Sequence, residues 1–262
     1  MSRLNGKPSL RERVLAGETV FGTFYKSNSA PMMEVIGYAG FDFVVIDCEH
    51  SAIGYESVES IIRYGDAVGI DTVVRVPSAS EENIFHALDG GAAGVQIPNL
   101  TAVKQFEEAS RNAKYFPLGS RGLSRNQRAA RFGFWPADVN YTEYSNENTL
   151  VAVHIENIEM ANQVDEILKI PQIDVLFVGP ADMSQSMGIP GKATDPRVVE
   201  VATRVIRKAR AAGKGAGIFV GNPAGLERYI AVGANYILYS SDVTLFGSAC
   251  KNAAAEFAKY RK

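Results

Sequence analysis

The chain is 262 residues long and 46% hydrophobic, which is large for an ordinary domain but normal for one α/β barrel. Its formal charge of −2, without a basic cluster, offers no electrostatic footprint for nucleic acid or for an anionic membrane surface. The first residues lack the apolar core of a secretory signal, and no apolar run is long enough to span a bilayer. We therefore expect a cytoplasmic protein that binds a small molecule.

Short β-rich apolar runs alternate with longer helical patterns, which is the sequence form of repeated βα units. A helix over residues 9–16 precedes the first strand, and an amphipathic helix over 243–261 closes the chain. The predicted strands are 20–27, 41–49, 71–77, 93–99, 150–155, 174–179, 215–221 and 235–242. Without a shift in composition, residues 1–262 are expected to form a single (β/α)8 TIM barrel with an additional N-terminal helix. An open doubly wound sheet is the alternative, disfavoured because no G-x-G-x-x-G pattern follows the first strand.

The connection between the fourth and fifth units, residues 114–148, is unusually long. Loops of this length in compact domains are usually functional or disordered. Its aromatic residues favour a packed segment that covers a functional site as a cap. Four arginines, Arg121, Arg125, Arg128 and Arg131, are expected to meet an acidic or hydroxylated substrate tail, or else to form a solvated, salt-bridged surface.

Two predicted strands each end in a carboxylate, Glu156 after Leu150–Ile155 and Asp182 after 174–179. Polar residues of a parallel sheet gather at the carboxyl ends of its strands, so we expect both acids at one rim. Paired hard oxygen ligands suit a divalent cation such as Mg²⁺ or Mn²⁺. The alternative is that Glu156 begins a helix and Asp182 forms a turn.

Further polar residues lie towards the same ends of the predicted strands, namely Asp47, Glu49, His50, Arg75, Gln96 and His154. Arg75 lies in the apolar run VVRVP, where a guanidinium needs an anionic ligand or a structural carboxylate partner. His50 at the rim is a candidate acid or base. Asp89, at the end of a predicted helix, either orients His50 or belongs to the helix-ending turn. His154 and Glu156 are two residues apart and share a face of their strand.

Five motifs, in this order and spacing, resemble the metal-dependent class II pyruvate aldolases of the HpcH/HpaI family. They are Asp47-Cys48-Glu49-His50, Val74-Arg75-Val76-Pro77, Gly119-Ser120-Arg121-Gly122, Ile155-Glu156 and Gly179-Pro180-Ala181-Asp182-Met183-Ser184. The resemblance covers nearly the whole chain. It implies reversible cleavage of a 4-hydroxy-2-oxo acid to pyruvate, or a related 2-oxo acid, and an aldehyde.

The resemblance also implies roles for individual residues. Glu156 and Asp182 would hold a divalent cation, Mg²⁺, Mn²⁺ or Co²⁺. Arg75 would hold the 2-oxo acid and steady its enolate, while His50 would be catalytic with Asp89 as its carboxylate partner. The residues implied to approach the 2-oxo carboxylate are Gly119, Ser120, Arg121, Ala181 and Asp182.

One position departs from the family pattern. His154 stands where the family often has glutamine, so the site gains a third metal ligand, a different hydrogen-bond donor to the substrate or a second base. The resemblance further implies a homo-oligomer, a trimer or hexamer, in which helix 243–261 packs on a neighbouring subunit or on its own barrel.

Two rival functions follow from the residues. A Schiff-base aldolase would use Lys26, the lysine expected nearest the rim, as its nucleophile. In that mechanism the paired carboxylates Glu156 and Asp182 would have no evident role. A non-catalytic metabolite-binding barrel would bind its ligand without metal and without turnover.

Overall fold

The structure, a computed structural model, describes residues 7–261. Within this range a closed barrel runs from β1 through β8 in sequence order, and β8 pairs with β1. Every neighbouring pair is parallel. The strands are β1 (Val20–Tyr25), β2 (Phe43–Asp47), β3 (Asp71–Arg75), β4 (Gly94–Ile97), β5 (Leu150–Ile155), β6 (Val175–Val178), β7 (Gly215–Val220) and β8 (Tyr236–Ser241). The predicted (β/α)8 barrel is confirmed, and its closure overturns the open sheet.

Helices alternate with these strands over the described residues. The α-helices are α1 (Leu10–Leu15), α2 (Ala30–Tyr38), α3 (Tyr55–Val68), α4 (Glu81–Asp89), α5 (Val103–Asn112), α6 (Tyr141–Asn148), α7 (Ile158–Asn162), α8 (Val164–Ile167), α9 (Pro180–Ser186), α10 (Pro196–Ala211), α11 (Leu226–Ala231) and α12 (Asp242–Ala258). Short 3₁₀ helices span Arg128–Gly133 and Pro223–Gly225. None of the helices in this part of the chain is long and apolar enough to cross a bilayer.

The strands are buried on both faces, as expected for a parallel sheet covered by helices. One apolar cluster fills the barrel and includes Phe43, Phe177 and Tyr236; the larger cluster lies between the strands and the surrounding helices. The predicted N-terminal helix is present as α1, whose Leu10 and Val14 join the inner cluster. By covering the amino-terminal end of the barrel, α1 leaves the carboxyl ends of the strands as the open face.

The long connection lies at the opposite end of the barrel from the strand carboxyl ends. It follows α5 and precedes β5, and in a βα barrel such a segment lies at the amino-terminal face. Tyr115, Trp135 and Tyr141 pack together there, and Arg128 donates to the carbonyl oxygen of Gly90 at 2.8 Å. The connection is densely packed, as predicted, but it does not cover the carboxyl-end site of its own chain, so its role as a cap over a site stays a prediction. The topology of the barrel is the reason.

Helix α12 leaves the barrel soon after it begins. Ser241 caps it by accepting from the backbone N–H of Thr244, and Asp242 is buried. Residues 246–261 are all exposed, including the aromatic rings of Phe246 and Phe257. This helix therefore presents apolar side chains that its own barrel does not cover.

Candidate active site

Arg75 lies at the centre of a buried ionic cluster where β2 and β3 end. Its Nε and Nη2 donate to Asp47 Oδ1 at 2.9 Å and Oδ2 at 2.7 Å, and its Nη1 lies 3.0 Å from Glu49 Oε2. Lys26 Nζ reaches Asp47 Oδ2 at 2.8 Å. The guanidinium also lies 4.4 Å from the ring centroid of Phe24. The expected structural carboxylate partners are therefore present, and two of the five guanidinium N–H groups are still available to a ligand.

Asp47 remains ionised despite its burial. Burial alone would raise the pKa of this carboxyl, but hydrogen bonds and charge from Arg75 and Lys26 hold the pKa far below its usual range. The carboxylate also accepts from the backbone N–H groups of Glu49 and His50 at 3.2 and 3.1 Å. Asp47 thus fixes both the orientation of Arg75 and the turn that carries His50.

Glu156, directly after β5, is held by two donors. Its Oε2 lies 2.9 Å from His154 Nδ1, and its Oε1 accepts from the backbone N–H of Asn99 at 2.5 Å. Burial tends to raise the pKa of Glu156, but the His154 and Asn99 hydrogen bonds and the charge of Arg75 lower it overall. The carboxylate is therefore ionised and fixed in direction near neutral pH.

Asn99 is a site residue that the sequence reasoning missed. Besides its backbone bond to Glu156, its side-chain amide donates to Glu49 Oε1 at 2.6 Å, so it links the two halves of the site. Its φ of 60° lies in the left-handed region, which asparagine tolerates better than most residues. An asparagine directly after a strand-ending proline was the available signal.

Asp182 lies in the first turn of α9, across Gly179 from Glu156. A Cβ placed on Gly179 would lie 3.4 Å from Asp182 Oδ2 and 3.7 Å from Glu156 Oε2. Glycine at this position therefore leaves space between the two carboxylates. Asp182 is exposed, and among the described residues its carboxylate has no hydrogen bond or ion pair.

The donor set fits a divalent cation that keeps several waters. Two carboxylates flank an open space, one fixed and ionised and the other free to bind. Within residues 7–261 no group of three or more His, Cys, Asp or Glu side chains is arranged around a metal position. The two carboxylates would therefore be the only ligands that these residues supply to the cation.

His154 is not positioned as a third ligand or a second base. Its two ring nitrogens are both hydrogen-bonded, Nδ1 to Glu156 and Nε2 to Gln96 at 2.7 Å, and the side chain is 2% exposed. Both ring nitrogens have partners within the chain, and the contact of His154 with the substrate stays a prediction.

His50 lies at the rim with its side chain 59% exposed, and its Nε2 is 3.7 Å from Glu49 Oε2. The predicted partner, Asp89, does not reach it within the same chain. Asp89 ends α4 at the amino-terminal face and forms an ion pair with Arg121 there. The reason is the antiparallel course of helix and strand, which places the end of a helix opposite the end of the preceding strand.

The segment Gly119-Ser120-Arg121 also lies at the amino-terminal face. Its contacts within the chain explain why these residues are present. A Cβ on Gly119 would lie 2.1 Å from the Arg111 carbonyl oxygen, and Ser120 Oγ donates to Asn112 Oδ1 at 3.1 Å. Arg121 is buried and lies over the Tyr115 ring at 4.6 Å. In one chain, therefore, these residues do not meet Arg75 and Glu156, whereas Ala181 and Asp182 do lie on the same face as that pair.

Residues 20–249 match the family described as HpcH/HpaI aldolase/citrate lyase. Two relatives, the 2-keto-3-deoxy-L-rhamnonate aldolases of Klebsiella pneumoniae and Escherichia coli K12, are each 32% identical over 98% of this chain and 95% of their own length. A solved structure of an HpcH/HpaI aldolase/citrate lyase family protein from Burkholderia cenocepacia has a TM-score of 0.89 and 30% identity, covering 95% of this chain and 98% of its own. An HpcH/HpaI aldolase from Desulfitobacterium hafniense has a TM-score of 0.88 and 27% identity, covering 96% and 97%.

Proposed function

The chain belongs to the HpcH/HpaI aldolase/citrate lyase family as a class II aldolase, and we propose that it reversibly cleaves a 4-hydroxy-2-oxo acid. The products would be pyruvate, or a related 2-oxo acid, and an aldehyde. The observation that carries the proposal is the pair Glu156 and Asp182, facing each other across Gly179 on the face that also carries Arg75.

Glu156 and Asp182 are the residues that would hold the divalent cation, Mg²⁺, Mn²⁺ or Co²⁺. When bound, such a cation acts as a Lewis acid on the oxygens of a 2-oxo acid. The backbone N–H groups of Ala181 and Asp182, in the first turn of α9, have no partner within the helix and are available to the substrate carboxylate.

Arg75 would stabilise the charge that appears during cleavage. When the C3–C4 bond breaks, its electron pair moves onto C3 and is delocalised to the C2 oxygen as an enolate. Asp47 holds Arg75 through two hydrogen bonds, so the guanidinium does not need to reorganise while that charge develops. A proton then returns to C3 to complete pyruvate.

His50 is the candidate that would accept the proton of the 4-hydroxyl group. Its exposed imidazole at the rim is accessible to the aldehyde half of a substrate, and its backbone is fixed by Asp47. We expect His50→Ala to reduce turnover while metal affinity is largely retained. Loss of the metal in this variant would contradict the assignment.

We propose a 2-keto-3-deoxy sugar acid as the substrate class. The relatives at 32% identity are named for one such acid, which has the required 4-hydroxy-2-oxo unit. Cleavage of that unit releases a short hydroxylated aldehyde together with pyruvate.

We further propose that the working enzyme is a cytoplasmic homo-oligomer, a trimer or hexamer. Helix α12 carries uncovered Phe246 and Phe257, which favours packing against another copy. Asp89, Gly119, Ser120 and Arg121 lie at the amino-terminal face, away from the carboxyl-end site of their own chain. If they serve catalysis, they would therefore act at the site of a neighbouring subunit.

The decisive experiment measures pyruvate release from a racemic 4-hydroxy-2-oxo acid before chelation, after chelation, and after adding back Mg²⁺, Mn²⁺ or Co²⁺. We expect activity to vanish with the chelator and to return with metal, while Glu156→Gln and Asp182→Asn remain inactive. A matched control is Glu159→Gln, an exposed acid on α7.

The rival functions predict other outcomes of the same experiment. Activity that survives complete metal removal would favour Lys26, which borohydride trapping would then test. Lys26 Nζ is engaged in an ion pair with the buried Asp47 at 2.8 Å. Ligand binding without turnover would favour the metabolite-binding barrel.

A further inference from the structure

We propose that Gln96 and His154 act as one positioning unit for Glu156. Gln96 holds His154 in the tautomer whose Nδ1–H donates to Glu156, and that bond keeps the carboxylate directed towards Asp182. This inference rests on the proposed function, in which Glu156 and Asp182 hold a divalent cation.

The unit is part of a hydrogen-bonded chain through the barrel interior. The Tyr236 hydroxyl donates to Gln96 Oε1 at 3.4 Å, Gln96 Nε2 lies 2.7 Å from His154 Nε2, and His154 Nδ1 lies 2.9 Å from Glu156 Oε2. Tyr236 and Gln96 are completely buried. The Phe177 ring packs against the imidazole with centroids 5.0 Å apart, which limits rotation of His154.

The direction of each bond follows from the donors and acceptors present. The ionised Glu156 only accepts, so His154 Nδ1 must carry a hydrogen. The Gln96 amide nitrogen lies 2.7 Å from His154 Nε2 and can only donate, so Nε2 is the acceptor of that bond. The Tyr236 hydroxyl agrees with this amide orientation, because burial raises the pKa of Tyr236 well above 10 and keeps it a donor.

This arrangement gives His154 a defined task at the site. Since neither ring nitrogen is free, His154 acts through Glu156. With Asn99 holding the other oxygen, the carboxylate is fixed at both atoms. Outer partners of a metal-binding side chain typically contribute about 10- to 100-fold in metal affinity.

The first test determines the tautomer of His154 in the metal-free protein by long-range ¹H–¹⁵N NMR. The chain has three histidines, so His50→Asn and His86→Asn variants assign the signals. We expect Nδ1, which faces Glu156, to carry a hydrogen and Nε2, which faces the Gln96 amide, to carry none. A hydrogen on Nε2 would overturn the proposal.

The second test measures Mn²⁺ affinity by electron paramagnetic resonance. We expect His154→Phe to bind about 10- to 100-fold more weakly than the wild type, and Gln96→Leu to bind several-fold more weakly. His154→Gln should stay within about threefold, because its amide can accept from Gln96 and donate to Glu156. Equal affinity in wild type, His154→Phe and Gln96→Leu would overturn the proposal.

The two tests separate this inference from the proposed function. A wild-type protein that binds no Mn²⁺ would contradict the metal assignment of the proposed function. The His154 tautomer is measured without metal, so it decides the positioning inference on its own, even where a variant fails to fold.

Discussion

Arg75 illustrates how one buried side chain at the rim can satisfy a structural requirement together with the function proposed for it. Asp47 and Glu49 neutralise its charge, and without them a buried guanidinium would be costly. The fork geometry of arginine allows two parallel bonds to Asp47 while N–H groups remain for a substrate. A lysine ammonium cannot reproduce this arrangement, although it carries the same charge.

Arg75→Lys should therefore lower kcat by about 10²- to 10³-fold, the magnitude typical of losing one preorganised donor to a developing oxyanion. Mn²⁺ affinity should change little because Arg75 is not a proposed ligand. Steady-state kinetics and a Mn²⁺ titration measure the two effects. Arg63→Lys, at an exposed ion pair with Glu59, is the matched control. Wild-type turnover in Arg75→Lys would exclude the proposed role.

Lys114 is a buried cation at the other end of the barrel. Its Nζ donates to the carbonyl oxygens of Asn146 and Thr149 at 2.8 and 2.7 Å, which ties the long connection to the start of β5. Burial lowers the pKa of Lys114 to about 8. The ammonium is thus disfavoured in the folded protein, although its hydrogen bonds position the connection.

This pKa has a consequence for stability. Because the folded-state pKa of about 8 lies below the ordinary lysine value of 10.5 that applies in the unfolded chain, the folded state binds fewer protons between these values. Stability from this group is therefore present above pH 10.5 and is lost as pH falls to about 8. The free energy of unfolding of the wild type, minus that of Lys114→Met, should rise by about 3 kcal/mol across the window. Urea unfolding of both proteins at several pH values measures it, and a pH-independent difference would contradict it.

At the scale of elements, packing requires one particular glycine, Gly119, in the connection between α5 and β5. Gly119 lies against the end of α5, where a Cβ would be 2.1 Å from the Arg111 carbonyl oxygen and 2.4 Å from that of Lys114. Gly122, three residues later, has nothing within 4 Å of its Cβ position. The two glycines of one motif therefore differ in the constraint that they satisfy.

Gly119→Ala should destabilise the protein by about 2–3 kcal/mol, because the backbone must shift to admit a methyl group. Gly122→Ala is the matched control and should stay within about 0.5 kcal/mol of the wild type. Thermal or urea unfolding of the three proteins measures the difference. Equal stabilities would show that the close approach is relieved at little cost.

At the scale of the whole molecule, the barrel separates two sets of residues that the sequence motifs group together. Arg75, Glu156 and Asp182 lie on the carboxyl-end face, while Asp89 and Arg121 lie on the amino-terminal face. A single chain cannot bring the two sets together. The proposed homo-oligomer would bring them together through contact between two copies, and the uncovered part of α12 favours such an assembly.

Subunit complementation tests this arrangement. Hybrid oligomers of His50→Ala and Asp89→Asn, co-expressed with different tags and purified by both, should recover activity that each variant alone has lost in part or in full. The reason is that some sites would then pair an intact His50 with an intact Asp89 from another chain. Hybrids of His50→Ala with Glu156→Gln are the control and should stay inactive, because both residues belong to one rim. Failure of the first hybrid would exclude a role for Asp89 across subunits.

The sequence by itself determined the barrel, the N-terminal helix and the rim residues at strand ends. These features are local: apolar runs buried on both faces define the strands, and the period of alternation defines the βα units. Glu156, Asp182 and Arg75 follow from such runs because a residue directly after a parallel strand must lie at its carboxyl end. The motif resemblance added their expected chemistry.

Tertiary structure alone decided which of the motif residues meet. The sequence places Gly119 and Arg121 in a conspicuous loop, but only the course of α5 puts that loop at the far end of the barrel. The hydrogen-bonded chain through Gln96, His154 and Tyr236 joins β4, β5 and β8, which are distant along the chain. Contacts of this kind depend on the closure of the barrel and on side-chain direction inside it, and no local pattern records either.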